Sequence, residues 1–407
     1  MPPAPIDYPE RMTSSPAGSS LDELSAIDAE LDEEERLVRE SVRRFVRERY
    51  LPRAAELYAR EEFPRDLVPE LAELGVLGAS ITGYGCAGMS PVAYGLMLEE
   101  LEYGDSGLRS FTSVQGSLAM FALYAFGSEE QKQHYLPAMA RGQVIGCFGL
   151  TEPDSGSDPG SLQTRARRDG ADFVLSGTKM WITNAPIADL AVVWAKTDDG
   201  GAESIRGFVV ERGTPGFETS RIHGKMSLRA SETGALHFDG CRVPARAALE
   251  HKPGLGAALQ CLAEARFGIS WGAVGAAKAC FDCVLAYTKE RVQFGVPIAK
   301  KQLVQAALAD MASAIVRAEL LSLHYGRSKQ RVRKLSPAQV SLCKRNNVEM
   351  ALETARTARS LLGANGILLE YPVIRHLMNL ESVYTYEGTH EIHTLVLGKA
   401  LTGEDAF

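Results

Sequence analysis

The stretch Cys147-Phe-Gly-Leu-Thr-Glu-Pro-Asp-Ser-Gly-Ser-Asp158 marks the point at which the chain stops reading as helix. Before it, apolar residues recur at helical spacing around 65–75, 91–103, 110–126 and 128–141. Asp32, with Glu35 three residues on, carries a capping-box signature; Leu37, Val38, Val42, Phe45 and Val46 follow on one face until Pro52 ends the pattern. Residues 21–145 are therefore expected to form an all-α domain, preceded by a Pro- and Ser-rich disordered tail over 1–20. After the stretch, short β-rich runs (Asp172–Leu175, Leu190–Ala195, Gly207–Glu211, Ala235–Phe238) are separated by Asp-Gly, Gly-Gly and Pro-Gly turn signals. These place a β domain over 146–253, with its sheet between 146 and 245. Helical periodicity returns over 254–407, interrupted near Ser336-Pro337 and between Gly363 and Pro372. The fold class is α+β, with a small barrel or sandwich between two helical domains.

With 45% hydrophobic residues in 407, the chain can bury a large core over two or three domains. A net charge of −7 and a pI near 5.7 argue against nucleic acid or an anionic membrane as partner. The apolar run Leu118–Phe126 is too short to cross a bilayer. The start, Met1-Pro-Pro-Ala-Pro-Ile-Asp7, resembles neither a signal nor a transit peptide, so a cytoplasmic location is expected. Seven cysteines without a framework point to reduced thiols. Cys280-Phe-Asp-Cys283 sits in an alanine-rich helical pattern with no second pair, which favours buried structural thiols over a redox or zinc site. Gly83-Tyr-Gly-Cys-Ala-Gly88 matches G-x-G-x-x-G but lacks the flanking strand and helix; it reads as a loop between helices, and NAD is not implied.

Four further stretches carry chemistry. In Val383-Tyr-Thr-Tyr-Glu-Gly-Thr-His-Glu-Ile-His393, Glu387 occupies a non-helical break between two apolar-periodic segments. Gly388 beside it permits positive φ and close approach of a ligand. Desolvation there would raise a carboxyl pKa towards the range of a general base, although an ordinary turn between helices is the plainer reading of the pair alone. His390-Glu-Ile-His393 does not have the His-Glu-x-x-His spacing and lacks a third ligand, so no metal is expected. The stretch Phe148–Asp158 offers backbone donors and small hydroxyls suited to a planar polar ligand or phosphates, as do many surface loops. In Arg291-Val-Gln-Phe-Gly295, the arginine suits a pyrophosphate and Phe294 an adenine, against the alternative of a surface Arg and a core Phe. Arg109, in Leu108-Arg-Ser-Phe-Thr-Ser113, reads by composition as a solvated charge.

Taken in order, Cys147–Asp158, Lys179-Met-Trp-Ile-Thr-Asn184, Arg291–Gly295, Leu361-Leu-Gly-Ala-Asn-Gly366 and the Tyr-Glu-Gly-Thr break resemble the acyl-CoA dehydrogenase family of flavoenzymes. The likeness runs from about residue 30 to Phe407 and is greatest to the branch that acts on glutaryl-CoA. It implies a C-terminal four-helix bundle, a homotetramer, FAD as cofactor, an acyl-CoA substrate and an electron-transfer flavoprotein as partner. Glu387 is then the base, with its own N–H and a ribityl hydroxyl as oxyanion donors. Phe148, Leu150, Thr151 and Ser157 contact flavin or its pyrophosphate, and Ser157 also lies near the CoA arm. Trp181, Ile182 and Thr183 lie beside the isoalloxazine, and Thr389 and Glu391 are further cofactor contacts. Arg291, Phe294, Gln302 and the Ser360–Ala364 segment, with Leu361 and Gly363, bind FAD of a neighbouring subunit. Arg109, Ser110, Ser113 and Glu102 match the group that recognises a distal carboxylate; Phe111 and Thr112 are bulkier or more polar than the pattern, which leaves chain length open. Arg266 matches a residue of the CoA channel, and Tyr386, Gly388 and Phe407 match substrate contacts. The implied products are crotonyl-CoA and CO2. The rivals are a non-decarboxylating or differently selective dicarboxylyl-CoA dehydrogenase, an oxidase using O2, and a non-catalytic CoA- or flavin-binding protein.

Overall fold

A computed structural model describes residues 19–197, 204–251, 253–332 and 334–406. The expected tail lies outside these residues up to position 18. Ser20 is not part of a tail: it caps α1 (Leu21–Ser25) through a capping box with Glu23.

The helix expected to open at Asp32 does so. Asp32 accepts from the Glu35 N–H at 2.9 Å, and Glu35 returns to the Asp32 N–H at 3.0 Å. In this α2 (Glu33–Phe45) the buried residues are Glu35, Arg39, Val42 and Phe45. Leu37 is 63% exposed and does not belong to the core face. Nor does Pro52 end the helix. The chain passes through a π turn (Val46–Tyr50) into α3 (Leu51–Arg60), with Pro52 in the first turn, where its missing N–H leaves no bond unmade. After α4 (Val68–Glu73), the G-x-G-x-x-G segment closes a hairpin, β1 (Thr82–Gly83) against β2 (Cys86–Ala87). Tyr84 and Gly85 both have positive φ, as a two-residue hairpin turn requires. Next come α5 (Pro91–Gly104) and α6 (Ser106–Ser113), then a π segment (Val114–Met120), α7 (Phe121–Phe126) and α8 (Glu129–Ala140).

The middle region is one mixed sheet of β3 (Gly146–Gly149), β4 (Arg165–Asp169), β5 (Asp172–Thr183), β6 (Leu190–Thr197), β7 (Ile205–Glu211), β8 (Phe217–Arg221) and β9 (Thr233–Pro244). The order is β3-β6-β4-β5-β9-β8, with β7 on the other edge of β6; β3 and β4 run parallel to β6 and the remaining pairs are antiparallel. Strand β6 shows why this sheet needs helices around it. Leu190, Val192 and Trp194 pack with the helical cluster that holds Leu118 and Leu136, while Ala191, Val193 and Ala195 face the sheet's own core with Phe173 and Phe208. Both faces are buried, so the strand reads as a continuous apolar run.

The C-terminal region contains α9 (Leu255–Glu290), the hairpin β10 (Val292–Gln293) and β11 (Val296–Pro297), then α10 (Gln302–Val332), α11 (Pro337–Leu361), α12 (Pro372–Thr385) and α13 (His390–Thr402). Helix α9 is long and apolar enough to cross a membrane by length and composition, yet 83% of its most apolar window is buried inside the protein, which identifies it as a core helix. Cys280 and Cys283 lie in that core, where burial pushes both thiols up, Cys283 to about 12. The sheet is tied to α12: the hydroxyls of Ser227 and Ser382 meet at 2.6 Å, and the Leu228 N–H donates to Asn379 at 2.7 Å. Asp105, the N-cap of α6, accepts from Arg375 at 2.5 Å and Asn379 at 3.1 Å. The start of α6 is therefore clamped to α12, the helix that runs into the Glu387 break.

Candidate active site

Helix α12 stops at Thr385, α13 starts at His390, and Glu387 stands between them with φ +51°. Gly388 follows with φ +91°, and a Cβ there would lie 2.9 Å from His393 Nε2 and 3.2 Å from Arg266 Nη2. A side chain at 388 would collide with both, so glycine is required by space as well as by dihedral. Thr389 caps α13 by accepting from the Ile392 N–H at 3.2 Å, and Glu391 is exposed in its first turn. Carboxylate oxygen Oε2 of Glu387 is shut from solvent and accepts no hydrogen bond from any described residue. Burial raises the Glu387 pKa, against the pull of Arg109, Lys344 and Arg266, which favour its ionised form. An unpartnered carboxylate with a raised pKa is suited to take a proton from a bound molecule.

Arg109 is not a solvated charge. It is 1% exposed, and its Nε donates to Glu102 Oε2 at 2.6 Å, the glutamate being fully buried. The second face of that contact is Gly272 on α9, whose Cβ, if present, would stand 1.9 Å from the same oxygen. Arg109 Nη2 also donates to the Tyr386 hydroxyl, and its guanidinium lies 5.6 Å from the Tyr386 ring centroid. Burial pushes the Tyr386 phenol up to about 12, so it stays protonated. The buried hydroxyls of Ser110 and Ser113 have no hydrogen-bond partner among the described residues. The distal-carboxylate group of the sequence reading thus converges on the residue next to Glu387. Arg266 joins it through its Nε, which donates to the Glu387 carbonyl at 2.6 Å.

The stretch Phe148–Asp158 leaves β3 and returns along β5. Its turn is fixed by Glu152, which accepts from Lys179 at 2.8 Å and from the Thr164 N–H at 2.9 Å. A register shift between Lys179 and Ile182 takes Met180 and Trp181 out of the β5–β9 ladder, and the Met180 N–H donates instead to the Thr151 carbonyl at 2.9 Å. Trp181 sits on this bulge with φ +62° and 59% exposure. An indole that could have packed in the core is presented outward, beside Thr151 and Thr183. Phe148, Leu150 and Ile182 are buried in core clusters, so these three offer a ligand mainly their backbone; Ser157 is exposed. Ile182 and Thr183 pair with Gly234 and Thr233 on β9, shortly after the loop whose Ser227 touches α12.

Arg291, Phe294 and Gln302 lie elsewhere, with Leu361 and Gly363, around the β10–β11 hairpin and the adjoining helix ends. Phe294 is 93% exposed with φ +53°, so it is not the core Phe of the alternative reading. Arg291 stands just beyond α9, roughly 37 Å along the helix axis from Arg266. The structure therefore places the sequence candidates in three groups: around Glu387, along the β5 bulge, and around the β10–β11 hairpin. Phe407 lies outside the described residues. One residue near Glu387 was not foreseen: Lys344 of α11, whose Nζ donates to the carbonyls of Tyr386 and Gly388. Its signal was present as a lysine on the apolar stripe Val340, Lys344, Asn347, Val348 and Ala351.

Family models of the acyl-CoA dehydrogenase N-terminal, middle and C-terminal domains match residues 32–143, 147–241 and 252–402. The chain belongs to the acyl-CoA dehydrogenase family. Among solved structures, this acyl-CoA dehydrogenase is similar to a glutaryl-CoA dehydrogenase from Mycobacterium smegmatis, with 57% identity and a TM-score of 0.93 over 96% of this chain and all of that one. A second Mycobacterium smegmatis glutaryl-CoA dehydrogenase structure, in complex with FADH2, is 52% identical at the same TM-score and coverage. The mitochondrial short-chain specific acyl-CoA dehydrogenase of Bos taurus is 37% identical over 372 residues, 90% of each chain.

Proposed function

We propose that this acyl-CoA dehydrogenase oxidises glutaryl-CoA with FAD, releasing CO2 and crotonyl-CoA, and that an electron-transfer flavoprotein takes the electrons. The observation that carries the substrate is the buried Arg109, bonded to the tyrosine adjacent to Glu387. Beyond its bonds to Glu102 and Tyr386, the guanidinium has donors left that a distal carboxylate could take and a plain acyl chain could not. The likeness to two glutaryl-CoA dehydrogenase structures supports the same choice.

The residues fit a flavin on an observation independent of family. Strand β5 opens a bulge and turns Trp181 outward beside the backbone of Thr151, which is how a sheet edge would meet a planar ligand. Thr151, Ser157, Trp181 and Thr183 would hold it, with Phe148, Leu150 and Ile182 offering main chain, and Thr389 and Glu391 at the start of α13. The distance of Arg291, Phe294, Gln302, Leu361 and Gly363 from Arg266 supports their serving the cofactor of another copy in a homotetramer. When bound, FAD supplies the acceptor for the β-hydride, a role no side chain can fill.

Glu387 takes the α-proton of the thioester. Its own N–H would stabilise the negative charge that develops on the thioester oxygen. Loss of the α-proton and the β-hydride gives glutaconyl-CoA, in which the γ-carbon that bears the carboxylate is vinylogous to the α-carbon of the thioester, so that an electron pair released there is delocalised into the thioester. The C–C bond to that carboxylate breaks, CO2 leaves, and the electron pair stays on the substrate as a dienolate. Protonated Glu387 returns its proton to the γ-carbon, giving crotonyl-CoA and regenerating the base. Arg109, Glu102 and Tyr386 orient the carboxylate, and Ser110 and Ser113 offer it hydroxyls. For the CoA arm, a groove of about 410 Å³ between α7, α9 and the α10–α11 turn carries Lys329, which pairs with Glu264, and Lys334 at its wall.

The test is anaerobic titration of the purified holoenzyme with glutaryl-CoA and butyryl-CoA, following flavin bleaching and analysing products. Glutaryl-CoA should bleach the flavin and yield CO2 and crotonyl-CoA. Glutaconyl-CoA without CO2 would identify a non-decarboxylating enzyme, and preference for butyryl-CoA would remove the dicarboxylate reading. Turnover with O2 in place of an artificial acceptor would indicate an oxidase, and a colourless protein a binding role. Glu387→Gln should retain flavin and not bleach.

A further inference from the structure

Three consecutive carbonyls of the break, those of Tyr386, Glu387 and Gly388, all end on cations from neighbouring helices. Lys344 Nζ donates to Tyr386 O at 2.5 Å and to Gly388 O at 2.6 Å, and Arg266 Nε donates to Glu387 O between them. Lys344 is only 2% exposed, and its ammonium lies 5.8 Å from the Tyr386 ring centroid. A lysine is costly to bury, and an apolar residue of the same length would fill α11's stripe without that penalty. Packing therefore does not account for its place. The turn it holds does. Glu387 is a non-glycine residue in the left-handed region, a conformation that persists only where its surroundings over-determine it.

We propose that Lys344 is the positioning residue of the base: its ammonium pins the carbonyls on both sides of Glu387, fixes the left-handed turn, and holds a positive charge against the carboxylate. The proposal rests on the reading of Glu387 as the base. The other groups that face Glu387 are Arg109 of α6, Arg266 of α9 and Tyr94 of α5, whose hydroxyl bonds that of Ser117; His393 of α13 approaches the neighbouring Gly388. Arg109 also bonds Glu102 and Tyr386, and Arg266 is held by the Glu387 carbonyl. His393 is pushed down to about 3 by burial and so is neutral, with Nδ1 on the Ser341 hydroxyl at 2.9 Å. Lys344 is the one cation of the set bonded to both carbonyls that flank the base.

The experiment compares Lys344→Met, Lys344→Gln and Lys344→Arg holoenzymes with Glu387→Gln. Methionine keeps the stem and removes charge and donors. Glutamine keeps a donor for one carbonyl, so that a folding defect in the first variant does not end the test. In either neutral variant that retains flavin, kcat should fall at least about tenfold with KM little changed, because the base is misplaced. The acidic limb of the kcat/KM profile should move to higher pH by about one unit, because an opposite charge near the carboxylate has been removed. Lys344→Arg, which keeps the charge, should hold the limb near its wild-type position while losing rate. A flavin-loaded neutral variant with wild-type kcat and an unmoved limb would overturn the proposal, as would an arginine variant whose limb moves as far as the neutral ones. The two readings fail separately: an active Glu387→Gln removes the base itself, whereas an inactive one beside a normal Lys344→Met removes only the role of the lysine.

Discussion

The buried pair Glu102–Arg109 allows a prediction whose size follows from the structure. The two side chains are 0% and 1% exposed, with Nε and Oε2 2.6 Å apart. In Arg109→Met the glutamate is left buried without its partner, a loss of roughly 3–5 kcal/mol of stability. A distal substrate carboxylate would lose a charge-assisted hydrogen bond of about 1.5–3 kcal/mol. At about 1.36 kcal/mol per decade, kcat/KM for glutaryl-CoA should drop about ten- to a hundredfold relative to that for butyryl-CoA. Combining Arg109→Met with Glu102→Gln removes both charges, so the double variant should recover much of the lost thermal stability and none of the lost selectivity. The assay is steady-state kinetics with both thioesters and an artificial acceptor, alongside thermal denaturation of each holoenzyme. A folded, flavin-loaded Arg109→Met whose glutaryl-to-butyryl ratio stays within about twofold of wild type would refute the assignment of Arg109 to the substrate.

Three further outcomes are expected. A Cβ at Gly272 would lie 1.9 Å from Glu102 Oε2, so Gly272→Ala should displace that carboxylate by more than an ångström, lower stability by about 1–3 kcal/mol, and reduce turnover of glutaryl-CoA more than of butyryl-CoA; melting temperature and the two kcat/KM values check this. Burial raises the Glu387 pKa, so its ionised form is disfavoured by the fold and stability declines as pH rises above the unfolded carboxylate value. Glu387→Gln should therefore melt higher than wild type, by a margin that grows with pH, while wild-type kcat/KM falls as pH drops through the raised folded pKa; parallel melts and a rate profile test both signs. Phe294 is 93% exposed, so Phe294→Ala should leave the single chain's fold intact but lower the flavin-to-protein ratio after gel filtration, and full flavin retention would count against its role in a neighbouring copy's site.

How much of this was legible in the sequence varied with the range of the interaction involved. The capping box at Asp32 and Glu35 is local, and the structure has it as read. The Glu387 break was visible for the same reason, since Gly388 and a polar stretch between two apolar patterns need no tertiary information. Strands β3, β4 and β8 were missed because they carry little pattern of their own: β3 is Gly-Cys-Phe-Gly, and β4 is Arg-Ala-Arg-Arg-Asp. Pro52 was misread because a π turn before it lets the chain restart a helix with proline in its first turn, a possibility that propensity does not encode. Arg109 and Lys344 were hidden more deeply. Composition assigns both to solvent, and only α9 and α11 packing against the α6–α12 clamp puts them inside.

The charge balance of the site links these burials to substrate choice. Three cations, Arg109, Arg266 and Lys344, act on Glu387, and only Glu102 joins it as an anion bonded within the group. With both glutamates ionised, one positive charge is left over in a site where Glu102, Arg109 and Lys344 are buried and Arg266 and Glu387 are partly exposed. Burial disfavours charge on both partners, lowering the Lys344 pKa and raising that of Glu387, and only the shift of Lys344 reduces the surplus. On the proposed function, a thioester with a distal carboxylate would supply the missing negative charge and favour a protonated Lys344 beside an ionised Glu387, the state the proposed base needs. A simple acyl chain brings no such charge, and on the same reading burial would favour the neutral form of Lys344. On the proposed function, selectivity for a dicarboxylyl substrate and competence of the base would be two consequences of one arrangement, in which the ligand completes a charge set that the fold leaves one short.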